Sequence, residues 1–332
     1  MEERQLEEVL SYYFDGKCKI KEGPSGMNNL TRYVDYQGKR YVVRVYKNHC
    51  DEKVVEMEHL ILKKLSHLSV PHLVEMKNGG TLAKMNQGLV SVFHYKEGVN
   101  LELKTPTQYY NLGETVGQLS LQLKGIKCHN GEYLPYYKLN ESYPNHGAEQ
   151  FCNDVSDNFR DVKEELQRIG QLLEEVHTQK VLLEKLPHQL IHGDINCSNL
   201  LMDDEGKISA ILDFEFVTQD LRAMEVAICL SELLHEIEGQ FIPEFELFLN
   251  SFCAGYSLKI NLTHEEIEVL PFLILLRRLD VFLHFLDRYK KGIVTENMNP
   301  VTFLKKQIKS IAFQDKWLLQ NGNQIQKLFM ER

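Results

Sequence analysis

The 332 residues predict an α+β fold in two lobes. Residues 1–96 would form a five-stranded antiparallel sheet with a helix, and residues 97–332 a mainly helical lobe that also carries β-hairpins. Three observations predict this. Before residue 97, short β-branched and aromatic runs alternate with turns rich in Gly and Asn, around one amphipathic stretch. From Thr107 onward, apolar residues recur every three or four positions. Within that helical half, Gln189–Phe216 (QLIHGDINCSNLLMDDEGKISAILDFEF) reads instead as strand, polar loop, strand, turn, strand, polar loop.

Composition narrows the class. The chain is 43% hydrophobic and 26% charged, with a net charge of −9, which suits a globular protein and disfavours general binding to nucleic acid or an anionic membrane. The N-terminus, MEERQLEEVL, lacks a hydrophobic signal core. The longest apolar run, Val269–Leu276, is too short to span a bilayer. The seven cysteines contain no C-x-x-C, which fits reduced thiols in a cytoplasmic protein. No H-E-x-x-H occurs, and no histidines show metal-ligand spacing. The expected partner is a small molecule, with no nucleic acid and no membrane, and the chain is expected as a monomer or homodimer.

Taken in order, Glu3–Phe14 has helical spacing at Leu6, Val9, Leu10 and Tyr13. Ile20–Tyr46 reads as three strands, with a flexible loop at Gly23–Asn29 and a hairpin turn at Gln37-Gly38-Lys39. Arg44 sits between valines, a cation on an apolar strand and so a candidate inward charge. Asp51–Leu68 is an amphipathic helix that ends at Val70-Pro71. Leu73–Met76, Leu82–Lys84 and Leu89–His94 read as strands. Thr107–Leu123 is helical, residues 124–150 take no regular assignment, and Phe151–Leu186 holds one long helix. After the strand-rich stretch, Leu221–Leu234 is a buried helix, and 241–257, 264–290 and 301–319 are three more. Arg277 and Arg278 on the apolar 264–290 stretch either pair with acids underneath or, by default, snorkel at the surface.

The chemistry concentrates in Gln189–Phe216. A hairpin through Asp203-Asp204-Glu205-Gly206 would set Asn199 beside Asp213, converging hard oxygen ligands of the kind Mg²⁺ takes. Asp194, five residues before Asn199, would be left free to accept a proton. His192-Gly193-Asp194, Asn199 and Ile211-Leu212-Asp213-Phe214-Glu215 together resemble the catalytic and metal-binding segments of the protein-kinase-like fold. HGD for HRD, and DFE for DFG, resemble the aminoglycoside, choline and homoserine phosphotransferase family, and the short loop with Asn28-Asn29 and the strand bearing Arg44 resemble a homoserine kinase-like member.

That resemblance implies an ATP- and Mg²⁺-dependent kinase acting on a hydroxyl of a small molecule, homoserine or a related amino alcohol first. Asp194 would be the catalytic base, and Asn199 and Asp213 the metal ligands. Arg44 would contact the phosphates, held by Glu58 of Glu58-His-Leu-Ile-Leu-Lys-Lys-Leu65, with Glu56 as the rival partner. Ser25, Gly26 and Asn28 would lie over the phosphates, and Phe93 and Tyr95, within the hinge Val92–Glu97, beside the adenine. His192 would brace the loop, Asn196 touch the acceptor or the γ-phosphate, and Glu225 support the loop from behind. Glu215 would reach metal or a substrate ammonium, or be solvated. Aminoglycosides, choline and methylthioribose stay open as acceptors. A catalytically silent kinase fold used for binding or as a coat protein, and an unrelated two-domain binding protein, stay open as other classes. The missing A-P-E segment disfavours a protein substrate.

Overall fold

The computed structural model describes residues 3–23, 29–47, 51–85, 88–127, 133–144, 147–153, 155–238, 242–293 and 299–332. The chain forms two compact units. One comprises the segment up to Leu101 together with Ser198–Glu215. The other comprises Glu102–Lys127, Glu132–Cys197 and Phe216–Arg332.

The first unit opens with helix α1 (Glu3–Tyr13), strands β1 (Lys19–Glu22), β2 (Asn29–Tyr36) and β3 (Lys39–Tyr46), helix α2 (Glu52–Lys64), and strands β4 (Leu82–Met85), β5 (Gly88–His94) and β6 (Val99–Asn100). Five of these strands make one antiparallel sheet in the order β1-β2-β3-β5-β4. Gln37 and Gly38, at φ 49° and 75°, make the tight turn whose twist matches the paired strands β2 and β3.

Alternation along β3 then decides what faces where. Tyr41, Val43 and Val45 are buried in one cluster with Leu6, Val9, Leu10, Tyr13 and Phe14. Arg44 and Tyr46 take the opposite face, where Val55 of α2 packs on Tyr46. Two bonds fix α2 there: His59 Nδ1 lies 2.8 Å from Thr81 Oγ1, and its Nε2 lies 3.0 Å from Ser91 Oγ. Burial holds this imidazole low, at about 4, so it stays neutral.

Residues 73–76, expected as a strand, contribute one bridge, Leu73 to Phe93. The reason is local: the Met76 N–H bonds the Gly80 carbonyl at 2.7 Å, which turns the chain away before a ladder can form.

The second unit contains α3 (Pro106–Lys124), α4 (Leu139–Ser142), α5 (Ala148–Asn153), α6 (Lys163–Leu183) and β7 (His188–Ile191). The chain next supplies the first unit with β8 (Leu200–Met202) and β9 (Ile208–Ile211), which join β6 in a small sheet. It then continues the second unit as β10 (Thr218–Leu221), α7 (Arg222–Glu236), α8 (Phe245–Ser257), α9 (His264–Lys290) and α10 (Pro300–Met330). Capping boxes start α3 at Thr105 and α9 at Thr263. Helices α3 and α8 meet backbone to backbone: a Cβ at Gly113 would stand 2.0 Å from the Phe252 carbonyl oxygen, and one at Gly255 2.0 Å from that of Tyr110.

The single helix expected over Phe151–Leu186 is two helices with a 3-10 segment, Asp157–Val162, between them. Ser156 is extended, at φ −65° and ψ 162°, while Phe159 and Val162 remain buried. The unassigned region around residue 136 contains a 3-10 turn, Tyr136–Lys138, and α4. The last helix runs eleven residues past Leu319, to Met330. No helix among the described residues is long and apolar enough to cross a membrane.

Candidate active site

In the first unit, the β8–β9 hairpin sets the geometry. Asp203 Oδ1 accepts from the N–H groups of Glu205 and Lys207, at 3.0 and 2.9 Å, and so closes the turn. Leu200 pairs with Ile211, and the Leu212 N–H donates to the Asn199 carbonyl at 2.8 Å. Asn199 and Asp213 therefore stand at neighbouring ends of one strand pair. Asp213 has φ 64°, a conformation a non-glycine residue adopts at a cost of about 1–3 kcal/mol, and one that clusters at functional sites.

Arg44 Nη1 lies 3.0 Å from Asp213 Oδ1 and 3.1 Å from Glu58 Oε1. Tyr46 donates its hydroxyl to Glu58 Oε2 at 3.0 Å. Glu58, not the exposed Glu56, meets the guanidinium. Burial pushes the Glu58 carboxyl up to about 7, against the pull of Arg44. Burial also disfavours the charged Arg44, but Asp213 and Glu58 hold its guanidinium protonated.

Glu215 is buried and accepts from Asn29 Nδ2 at 2.6 Å, which excludes the solvated role considered for it. Phe93 is buried, with Arg44 Cζ 5.7 Å from its ring centroid. Tyr95 lies edge-on to Tyr33 at 5.6 Å. Two backbone N–H groups of the segment Val92–Glu97 are engaged within the protein: that of His94 bonds the His72 carbonyl and that of Tyr95 the Arg40 carbonyl. Ser25, Gly26 and Asn28 lie outside the described residues.

In the second unit, β7 pairs with β10 and delivers the loop His192-Gly193-Asp194. His192 is fully buried. Its N–H donates to Glu225 Oε2 at 2.6 Å, and its Nδ1 accepts from the Asp194 N–H at 3.2 Å. Burial pushes the Glu225 carboxyl up to about 7, although it accepts from this backbone. Gly193, at φ 81°, has no room for a side chain, since a Cβ would stand 2.6 Å from the Phe216 carbonyl oxygen. Asn196 Nδ2 donates to the Asp194 carbonyl at 3.2 Å.

Tyr136, anchored by its N–H on Asp220 at 2.7 Å, donates its hydroxyl to the Gly193 carbonyl at 2.6 Å. Asp194 is not free. Arg277 Nη2 donates to its Oδ1 at 2.5 Å, and Arg277 Nη1 to the Tyr136 hydroxyl at 3.0 Å.

Arg277 and Arg278 are thus not snorkelling at the surface. Their side chains are only 11% and 4% exposed, and Arg278 Nη1 lies 3.2 Å from Glu232 Oε1. The signal was present. Arg277 follows the buried Leu273 and Ile274 by four and three residues, so helical spacing alone places it toward the core. Tyr136 carried no comparable signal, because the turn that holds it depends on distant Asp220.

The donor set suits a divalent cation. Asp213 and Asn199 offer hard oxygens, and Asp213 Oδ1 is buried with no aligned hydrogen bond among the described residues despite its ion pair to Arg44. Among the described residues no group of three or more His, Cys, Asp or Glu side chains could hold a metal ion. Two protein ligands are what Mg²⁺ takes when phosphate oxygens and water supply the rest.

Residues 19–261 match the phosphotransferase enzyme family. A homoserine kinase from Chelativorans sp. is 24% identical over 323 residues, covering 92% of each chain. One from Sinorhizobium medicae is 31% identical over 146 residues, 41% of this chain and 43% of that one. Among solved structures, an amicoumacin kinase in complex with AMP-PNP and Ca²⁺ is 16% identical and aligns with a TM-score of 0.68 over 95% of this chain and 94% of that one. A choline kinase from Streptococcus pneumoniae is also 16% identical, with a TM-score of 0.63 over 93% and 98%. These structures share the bilobal kinase-like fold expected from the sequence. With the matched residues spanning most of its length, the chain belongs to the phosphotransferase enzyme family and is a kinase of small molecules.

Proposed function

We propose that the chain transfers the γ-phosphoryl group of ATP, with Mg²⁺, to the hydroxyl of homoserine or a closely related amino alcohol. The observation that carries the reading is Arg44, pinned by Glu58 and touching Asp213 beside Asn199. A buried guanidinium of this kind, set by a partner carboxylate, is what phosphate oxygens require. The homoserine kinase names of the relatives support the choice of acceptor.

In this reading Asn199 and Asp213 would hold the magnesium, which would supply charge neutralisation for the phosphates. Arg44 donates to phosphate oxygens, and Glu58 keeps it aimed. Asp194 accepts the proton of the acceptor hydroxyl as the new O–P bond forms and the bond from the γ-phosphorus to the ADP oxygen breaks. His192, Glu225, Asn196 and Tyr136 hold the Asp194 backbone still. An ADP-release screen over amino acids, amino alcohols, choline, sugars and aminoglycosides tests the reading. Turnover with homoserine is expected, and a sugar or aminoglycoside as the sole acceptor would overturn the choice.

A further inference from the structure

We propose that Arg277 is the seat for a carboxylate carried by the phosphate acceptor, so that the site selects hydroxy amino acids over amino alcohols that lack the acid. This inference rests on the kinase reading above.

Two features argue that Arg277 does more than brace Asp194. The loop is already held without it, by the His192 ring, by Glu225, by the Asn196 amide and by the Tyr136 hydroxyl. Burying a guanidinium is costly, and a brace has no need of one. The guanidinium is also not saturated. Of its five N–H donors, its two hydrogen bonds among the described residues take one to Asp194 and one to Tyr136. Its Nε lies 3.7 Å from Glu232 Oε1, beyond hydrogen-bond range.

The surrounding charge states the rest of the recognition. Three carboxylates, Asp194, Glu232 and Asp280, lie within 3.8 Å of Arg277, and Arg278 pairs with one of them. The carboxylates exceed the guanidiniums by one. A hydroxy amino acid brings three groups, and the site has a partner for each. The carboxylate meets Arg277, the ammonium meets the surplus acid at Glu232 or Asp280, and the hydroxyl meets Asp194.

The test compares matched pairs, L-homoserine with 2-amino-1,4-butanediol and L-serine with 2-amino-1,3-propanediol, in the wild type, R277Q and R277K. Turnover is read by ADP release and binding by calorimetry without nucleotide. We expect the wild type to prefer the acid of a pair by about 100-fold in kcat/KM, and R277Q to erase most of that preference, the acid losing at least about tenfold more than the diol. An equal loss on both members of a pair, or a wild type that takes diols, choline or ethanolamine as well as the acids, overturns the seat. Should R277Q not fold, R277K decides. Its ammonium lacks the planar fork, so the preference falls at least about tenfold if Arg277 reads the acid and is unchanged if it does not. ADP release with a preference independent of Arg277 sinks the seat alone. Arg277-dependent binding of homoserine with no ADP release from any acceptor sinks the kinase reading instead.

Discussion

Replacing Glu58 by Gln removes the charge that aims Arg44 and leaves the packing of α2 nearly intact. The gross attraction at 3.1 Å is about 5 kcal/mol at an effective dielectric of about 20, most of it offset by the burial of both groups. Stripping one partner from a buried pair costs about 3–5 kcal/mol. Arg44 keeps Asp213 at 3.0 Å, so roughly half of that, about 2 kcal/mol, is the expected loss of phosphate-directed alignment. That converts to about a 30-fold fall in kcat/KM for ATP, with the acceptor KM unchanged. A pH profile supplies a second readout. Because burial holds the Glu58 carboxyl at about 7, and only its ionised form pairs with Arg44, the wild-type kcat/KM for ATP rises as pH rises through about 7. The E58Q profile lacks that limb. ATP kinetics in E58Q within about twofold of wild type, with the same pH limb, would refute the reasoning.

Further substitutions probe the framework. G193A forces a Cβ to 2.6 Å from the Phe216 carbonyl at φ 81°. It should cost about 1–3 kcal/mol in melting experiments and more in turnover than in stability, because Asp194 moves with the loop. G255A drives a Cβ to 2.0 Å from the Tyr110 carbonyl, so α3 and α8 must part; thermal unfolding should show a loss of about 1–3 kcal/mol while ATP affinity holds. The folded Glu225 carboxyl, at about 7, lies above its unfolded range. Its stabilising contribution is therefore complete below that range and is lost as pH rises through about 7. E225Q should flatten the fall in melting temperature between about pH 5 and 8, and an unchanged slope would count against it.

Much of this architecture was legible because local chemistry and tertiary demand agree. The turn Asp203–Gly206 flanked by apolar runs specified the β8–β9 hairpin, and with it the neighbouring positions of Asn199 and Asp213. Period-two alternation around Arg44 specified the face it takes. Other features followed from partners far away in sequence. Phe159 and Val162 keep helical spacing while lying in a 3-10 segment, because both are pinned in the core after the extended Ser156. The tail beyond Leu319 is rich in Asn and Gln with a glycine, a weak helix by propensity, yet Ile325 and Phe329 are buried and Gly322 lies against the Pro271 ring. Arg277 reads from sequence as a snorkelling cation because its long stem can reach water from an apolar face, and the acids it pairs with, Asp194 and Glu232, lie far from it in sequence.

The most direct measurement is turnover by D194A at saturating acceptor and Mg·ATP, with ATP affinity determined in parallel. Loss of the proton acceptor should lower kcat by about 10²–10⁴-fold and leave ATP affinity at the wild-type value. Turnover equal to that of the wild type would remove Asp194 from the chemistry and contradict the account.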